Sequence, residues 1–387
     1  VSDHVIKTTH VGSLPRSEEL TPLVLASEAG EPVDAEQMAD AITRSVQDVV
    51  RRQRDIGIDL VSDGEHGKPG FSVYVRDRLE GMGGKTDVWT FRDLEEVPEL
   101  TAALASEAEG SDLDEVLGRI PSCIGPLSYR GQEAVARDIA NFIAALGGDT
   151  ADAFMPAASP GVVVHQMKNL HYPSYENYLT AVADALREEY TAIVDAGLTV
   201  QLDCPDIPLV AGTNFWGSDV VDRLGHAAVV EMHVEAINRA TAGLPQEQLR
   251  MHLCWGNYAG PHTHDVALRD IIELVFKANV RFISFEAANP RHEHEWAIFE
   301  DIAVPDDKVL IPGCIDSTSN FVEHPELVAQ RIERFARLVG PEQIIAGADC
   351  GFGTVVGFTA VYPSIVWRKL QALVEGAALA SSKIAQV

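Results

Sequence analysis

Cysteine is scarce in this chain: five residues among 387, at positions 123, 204, 254, 314 and 350. So few and so widely spread, they form no disulfide framework, which fits a reducing cytoplasm. Basic side chains are in deficit, with 30 Lys and Arg against 58 Asp and Glu and a net charge of −28. That balance excludes a broad basic face for nucleic acid or for an anionic membrane surface. No apolar run reaches the roughly 18 residues of a transmembrane helix. Residues 1–16 lack a basic segment followed by an apolar core, so no signal peptide is expected. What is present is ordinary globular composition, 46% hydrophobic and 23% charged, in a chain long enough to bury a full core. A cytoplasmic protein with small-molecule partners is expected, and a homo-oligomer is compatible with these numbers.

Strand-like and helix-like stretches alternate along the chain. Eight runs read as buried strands from their length, β-branched content and flanking Gly, Pro or Asp: 8–12, 59–62, 153–156, 198–203, 249–254, 280–286, 309–315 and 343–349. Amphipathic helical stretches lie between them, for example 34–56, 174–196, 218–241, 266–278 and 325–339. Such alternation predicts a parallel sheet with helices outside, and eight units close most economically into a (β/α)8 TIM barrel. An open doubly wound sheet is the competing fold, but it calls for a Gly-rich turn after the first strand. Ser13-Leu14-Pro15-Arg16 stands there instead. The acidic stretch 88–118 shows no clear strand, and 119–129 is a ninth strand-like run. Residues 82–137 are therefore expected to be an insertion, a hairpin and a helix beside a single catalytic domain that spans 1–387.

The chemically informative residues fall at predicted strand ends. His252 and Cys254 are two apart, so in a strand they point to the same side. Glu286 closes the next strand, and Cys350 follows the last. The C-terminal rim of a barrel is where such enzymes build their sites. Imidazole and thiolates with one carboxylate suit Zn2+ better than magnesium or calcium, which favour all-oxygen shells. A carboxylate among softer ligands is exchangeable, so an incoming thiol can replace Glu286, bind as thiolate and become a nucleophile at neutral pH. A core histidine with two buried cysteines is the bland alternative for the same residues. A purely structural zinc site normally shows close Cys pairs, and none occurs here.

At these positions the chain resembles the catalytic domain of cobalamin-independent methionine synthase and its shorter relatives, including epoxyalkane:coenzyme M transferase. The matching segments are THVGSLPR (9–16), DLVSDGE (59–65), REEYTAIVDAGLTVQLDCPD (187–206), HLCWGN (252–257), FISFE (282–286) and GADCGFG (347–353). The resemblance implies zinc held by His252, Cys254, Glu286 and Cys350. It also implies that Ser13, Glu65 and Asp203 bind the amino-acid part of a homocysteine-type thiol. One departure is instructive. Where the methionine synthases carry an Asp-x-His motif whose His is the proposed acid for the folate leaving nitrogen, this chain keeps Asp316 but has Thr318. A threonine does not deliver a proton at neutral pH. The family's folate-binding acid and aromatic have no evident counterparts either, so the resemblance does not extend to folate as donor.

The expected activity is thus zinc-dependent S-alkyl transfer, in which a bound thiolate attacks a methyl or alkyl carbon. Opening of an epoxide by coenzyme M or a similar thiol is the alternative, with Lys68, Arg16 or Arg291 for the sulfonate. A non-catalytic zinc-binding protein is the alternative from another class. His66 and Lys68, in the Gly-rich GEHGKPGF run, are expected on a rim loop, Lys68 to bind an anionic substrate end and His66 to donate a proton. Asp316 is expected to orient a ligand or substrate group. His262 and His264 are a formal second metal pair but are expected instead as mobile cover in the loop after Cys254, His292 and His294 are expected to be solvated, and Cys204 and Cys314 to pack in the core.

Overall fold

The structure, a computed structural model, describes residues 6–86, 90–108 and 120–386. Residues 1–5, 87–89, 109–119 and 387 lie outside the described set, and with them much of the acidic stretch 88–118.

Ten strands are described: β1 (Leu79–Gly83), β2 (Thr90–Phe91), β3 (Ser122–Tyr129), β4 (Phe154–Ala158), β5 (Thr199–Asp203), β6 (Thr213–Asn214), β7 (Leu249–Leu253), β8 (Phe282–Phe285), β9 (Val309–Ile315) and β10 (Gly347–Ala348). Six of them form a parallel sheet in the order β10-β9-β8-β7-β5-β4. β4, β7 and β9 are buried along their whole length, as expected of strands covered on both faces. The register aligns Asp203 with His252 and His252 with Ser284, so strand-end side chains from β5, β7 and β8 arrive at one rim.

Two extended segments flank the sheet through single parallel bridges, Val61 to Ala153 on one edge and Thr8 to Ala346 on the other. The Leu60 amide donates to the Thr8 carbonyl at 3.0 Å, which joins the two segments to each other. They are shorter as strands than the sequence predicts for a physical reason. The Asp59 carboxylate takes both the Thr8 amide (2.7 Å) and hydroxyl (2.8 Å), so a side chain occupies what a ladder would use.

The helices form because their apolar positions recur at helical spacing. In the helix Ala35–Ile56 the buried face is Ala41, Ser45, Val46, Val49, Val50 and Gln53. Asp34 caps its start by accepting the Gln37 amide at 2.8 Å, and Gly57 ends it in the left-handed region at φ 90°. The expected insertion, 82–137, begins inside β1 and ends inside the helix Gln132–Leu146. Its antiparallel ladder, β1 with β3, runs from Leu79 to Tyr129. The helix Gln132–Leu146 packs instead with Ala35–Ile56 and Tyr175–Asp195 in the outer layer. The bounds 82 and 137 therefore cut through a strand and a helix, because strand propensity alone does not show where a hairpin hands over to the next helix. β2 pairs antiparallel with β6, joining Thr90 to Asn214 and Phe91 to Thr213.

Candidate active site

β7 brings His252 to the rim and the chain just beyond it brings Cys254. The turn after β10 brings Cys350. One ligand atom of each lies within 4.8 Å of the others. The two sulfurs are 3.3 Å apart. The His252 ring is oriented through Nδ1, which is 3.2 Å from the Ser284 hydroxyl, while its Nε2 is buried with no hydrogen-bond partner. An orphaned buried nitrogen beside two thiols is costly unless something fills the gap. Burial and the nearby Arg250 hold the His252 pKa down to about 3, so the ring is neutral and its nitrogen free to coordinate. The adjacent Cys350 sulfur and burial push the Cys254 thiol well above its ordinary range, a situation that a bound dication reverses. These residues fit a metal with a taste for sulfur and imidazole.

Glu286 does not join the three-donor group. It sits beside Cys254, but Oε1 accepts the Trp255 amide and Oε2 accepts the Asn289 amide side chain, each at 2.7 Å. Behind it, Asp349 accepts three consecutive backbone N–H groups, Ala287, Ala288 and Asn289, each at 2.8 Å. That carboxylate fixes the loop after β8 from the residue next to Cys350. The sequence reading did not single it out, although it lies inside the GADCGFG run.

His252, Cys254 and Cys350 form one wall of a cavity of about 270 Å³, and Ser13, Glu65 and Asp203 line the same space. Gly351, next to Cys350, has to be glycine, because a Cβ there would meet Ser13 Oγ at 2.0 Å. Glu65 lies at φ 60°, an unusual conformation for a residue with a side chain, and its Oε2 is buried without a partner. Burial and the neighbouring Asp203 raise the Glu65 pKa to about 8. Burial raises that of Asp203 to about 7 against the opposing bond from Gln201 (2.7 Å). Two buried acids that resist charging are a receptor for a cation. The rest of the lining is mostly apolar, including Phe71, Val73, Phe91, Leu209 and Phe358, and sequence reasoning missed it. Among the described residues no Lys or Arg lines the cavity.

Several expected site residues lie elsewhere. His66 is buried, its Nδ1 2.8 Å from the Ser45 hydroxyl on the helix Ala35–Ile56, and is not on the cavity wall. Lys68 is also buried: its ammonium donates to the Pro156 carbonyl and lies 4.3 Å over the Tyr74 ring. The Gly-rich run that suggests an exposed loop is folded inward here. Asp316 is turned to its own loop, where Oδ1 accepts the Thr318 amide (2.9 Å) and hydroxyl (2.8 Å). His262 and His264 are not a metal pair, because they face different carboxylates, Asp265 at 2.9 Å and Glu96 at 2.8 Å. His292 is buried, not solvated. Asp265 and Glu295 hold it from either side, and their hydrogen bonds outweigh the burial that opposes charge and raise its pKa to about 10.

Comparison with known proteins gives a consistent result. The family profile described as the cobalamin-independent synthase catalytic domain matches residues 6–91 and 173–366. A methionine synthase from Pyrococcus furiosus is 23% identical over 353 residues, covering 90% of this chain and 86% of the relative. A 5-methyltetrahydropteroyltriglutamate–homocysteine methyltransferase from Shewanella oneidensis is 24% identical over 360 residues, 90% of this chain but 40% of that longer protein. A solved B12-independent methionine synthase from a Shewanella species, in complex with selenomethionine, shares the fold. Its TM-score is 0.72 at 21% identity, over 99% of this chain and 100% of that one. With a profile that spans both the Ser13–Glu65 segments and the His252–Cys350 segments, this chain belongs to the cobalamin-independent synthase catalytic-domain family.

Proposed function

We propose that this chain is a zinc-dependent S-methyltransferase that methylates an amino-acid thiol of the homocysteine type. The observation that carries the reading is the unpartnered His252 Nε2, grouped with the Cys254 and Cys350 sulfurs on the wall of a cavity that also holds Glu65 and Asp203. His252, Cys254 and Cys350 hold the zinc. When bound, the metal supplies the charge that lowers a thiol pKa to neutral pH. Glu286 is the exchangeable partner. It stands beside Cys254 outside the three-donor group, and hydrogen bonds from Trp255 and Asn289 would keep its carboxylate compensated with a substrate sulfur in the fourth place. Glu65 and Asp203 take the substrate ammonium, and Ser13 its carboxylate or amine. The scaffold is a closed (β/α)8 barrel in one domain, with the segments around Thr8 and Val61 as the remaining two staves and residues 79–129 as the insertion.

Epoxide opening by a sulfonate-bearing thiol is less well served. A sulfonate needs a cation, and Lys68 is committed to Pro156 while Arg16 donates to the carbonyls of Gly353, Glu65 and Lys68. A purely structural metal site would not place its donors on the wall of a cavity with two buried acids. Zinc-edge X-ray absorption tests the reading. The resting protein is expected to show two sulfur ligands, and homocysteine to add a third, while coenzyme M does not. A zinc shell indifferent to homocysteine would overturn it.

A further inference from the structure

We infer that the methyl donor of this site is a compact onium compound, an S-methyl sulfonium in particular, and not an anionic pterin. The inference rests on the methyl-transfer reading above and concerns only the second substrate. Three observations converge on it.

The first is an aromatic wall next to the reacting sulfur. Phe91 and Tyr258 both line the cavity and stack on each other, with ring centroids 4.1 Å apart and planes at 29°. They lie against Gly256, where a Cβ would meet both rings at 3.0 Å. The Gly256 amide in turn points at the Cys254 sulfur, 3.4 Å away. The ring pair is thus one residue's breadth from a metal-binding thiolate. Phe71 and Phe358 line the same space. Aromatic faces attract a compact cation and give nothing to an anion.

The second is charge. The lining contains Glu65 and Asp203 and, among the described residues, no Lys or Arg. Lys68 and Arg16 act on Glu65, and Lys68 and Arg250 on Asp203, from behind the wall, so the lining presents carboxyl groups and rings but no cation to a donor that carries carboxylates. At about 270 Å³ the cavity is also at the small end for a ligand site, which suits two compact co-substrates.

The third concerns the histidines on the cavity wall. Of the two lining histidines, His252 is a metal-binding residue, and burial lowers the His165 pKa to about 4, so that ring is neutral. Neither supplies an imidazolium at pH 7. A sulfonium needs none. The thiolate lone pair forms the new S–CH3 bond and the old S–CH3 bond breaks. Its electron pair stays on the departing sulfur, which leaves as a neutral thioether. Counted from thiol and sulfonium, the products are two thioethers and one proton released to solvent. Transfer from a methylated pterin nitrogen releases none, because the leaving nitrogen must take that proton.

The test uses the zinc-loaded full chain with homocysteine and, separately, S-methylmethionine, trimethylsulfonium and 5-methyltetrahydrofolate. Expected are methionine formation from a sulfonium and one proton released per turnover in weak buffer. Phe91→Leu should raise the sulfonium KM about fivefold with little change in the homocysteine KM, and Phe91→Tyr should restore it. Calorimetric titration of S-methylmethionine into the same variants gives the binding order independently of turnover. Transfer from 5-methyltetrahydrofolate alone, turnover without proton release, or equal binding to Phe91 and Phe91→Leu chains would each overturn the donor assignment. The thiol step is read separately by X-ray absorption, so a homocysteine-responsive zinc shell with no sulfonium transfer sinks the donor and leaves the methyl-transfer reading standing.

Discussion

At the scale of single residues, the pair Glu65 and Asp203 sets how the site responds to pH. Both carboxyl groups have raised pKa values, chiefly because they are buried, and Glu65 also because Asp203 is near. Below about pH 7 both are protonated and have no charge to offer an ammonium. As pH rises through these values the charged forms appear. The homocysteine KM is therefore expected to fall several-fold between pH 6 and 8 and then level off, and Asp203→Asn to flatten that limb. Steady-state KM measured against pH in both proteins checks this, and a KM that rises over the same interval would contradict it. The same sign governs stability. A carboxyl whose folded pKa lies above its unfolded one costs the fold as pH climbs, so Glu65→Gln without ligand should gain stability at pH 8 and little at pH 5. Ser13, Glu65 and Asp203 come into view through the family resemblance, on the segments VGS, DGE and QLD, and not through spacing. The places of His66 and Lys68 are not legible. Nothing in GEHGKPGF tells that the loop folds inward onto Ser45 and Pro156, since loop composition reports polarity and not direction.

At the scale of elements, the roof over the cavity comes from two places far apart in sequence. Asp93, in the short helix Arg92–Glu96 that follows β2, accepts the Tyr258 hydroxyl at both oxygens (2.8 and 2.7 Å) and the His262 amide at 2.6 Å. It latches the segment that follows β2 to the loop that follows Cys254. Asp93→Ala removes these bonds together and should cost about 2–4 kcal/mol of local order. The effect is expected as a rise in the KM of both substrates and faster hydrogen exchange over 254–265, with the zinc content unchanged. Loss of zinc in that variant would mean the latch is part of the metal site. The parallel strands that lead to the site, β5, β7 and β8, are readable as apolar runs because nearly all their residues are buried. The roof escapes such reading. β2 and β6 are two residues each, and their pairing joins positions 90–91 to 213–214, a contact that no local pattern encodes.

For the whole molecule, a metal ion held by His252, Cys254 and Cys350 would act as a fastener between β7 and the turn after β10. In the folded chain His252, Cys254 and Cys350 already stand together, while an unfolded chain spreads the two cysteines 96 residues apart. Ligand that binds only the folded form stabilises it by mass action, by about 4 kcal/mol at a thousandfold excess over Kd. Chelation is therefore expected to lower the melting temperature by several degrees and to restore it on zinc addition, as followed by calorimetry. Equal melting temperatures with and without chelator would argue against a resident ion.

The contact between Ser13 and Gly353 has a consequence in time. Their hydrogen bond, 3.4 Å long, spans 340 residues of sequence, so nearly the whole chain must leave the ribosome before the cavity exists. At ordinary elongation rates that is roughly 20–70 s during which Ser13 and Glu65 wait without their partners. Cys254 is made long before Cys350. A metal ion captured early would find an imidazole and one thiol, and a firm site would appear only when the segment around Cys350 docks against the segment around Ser13. Zinc uptake by a nascent chain would then mark the end of folding, and the metal content of a preparation would count the molecules that reached it.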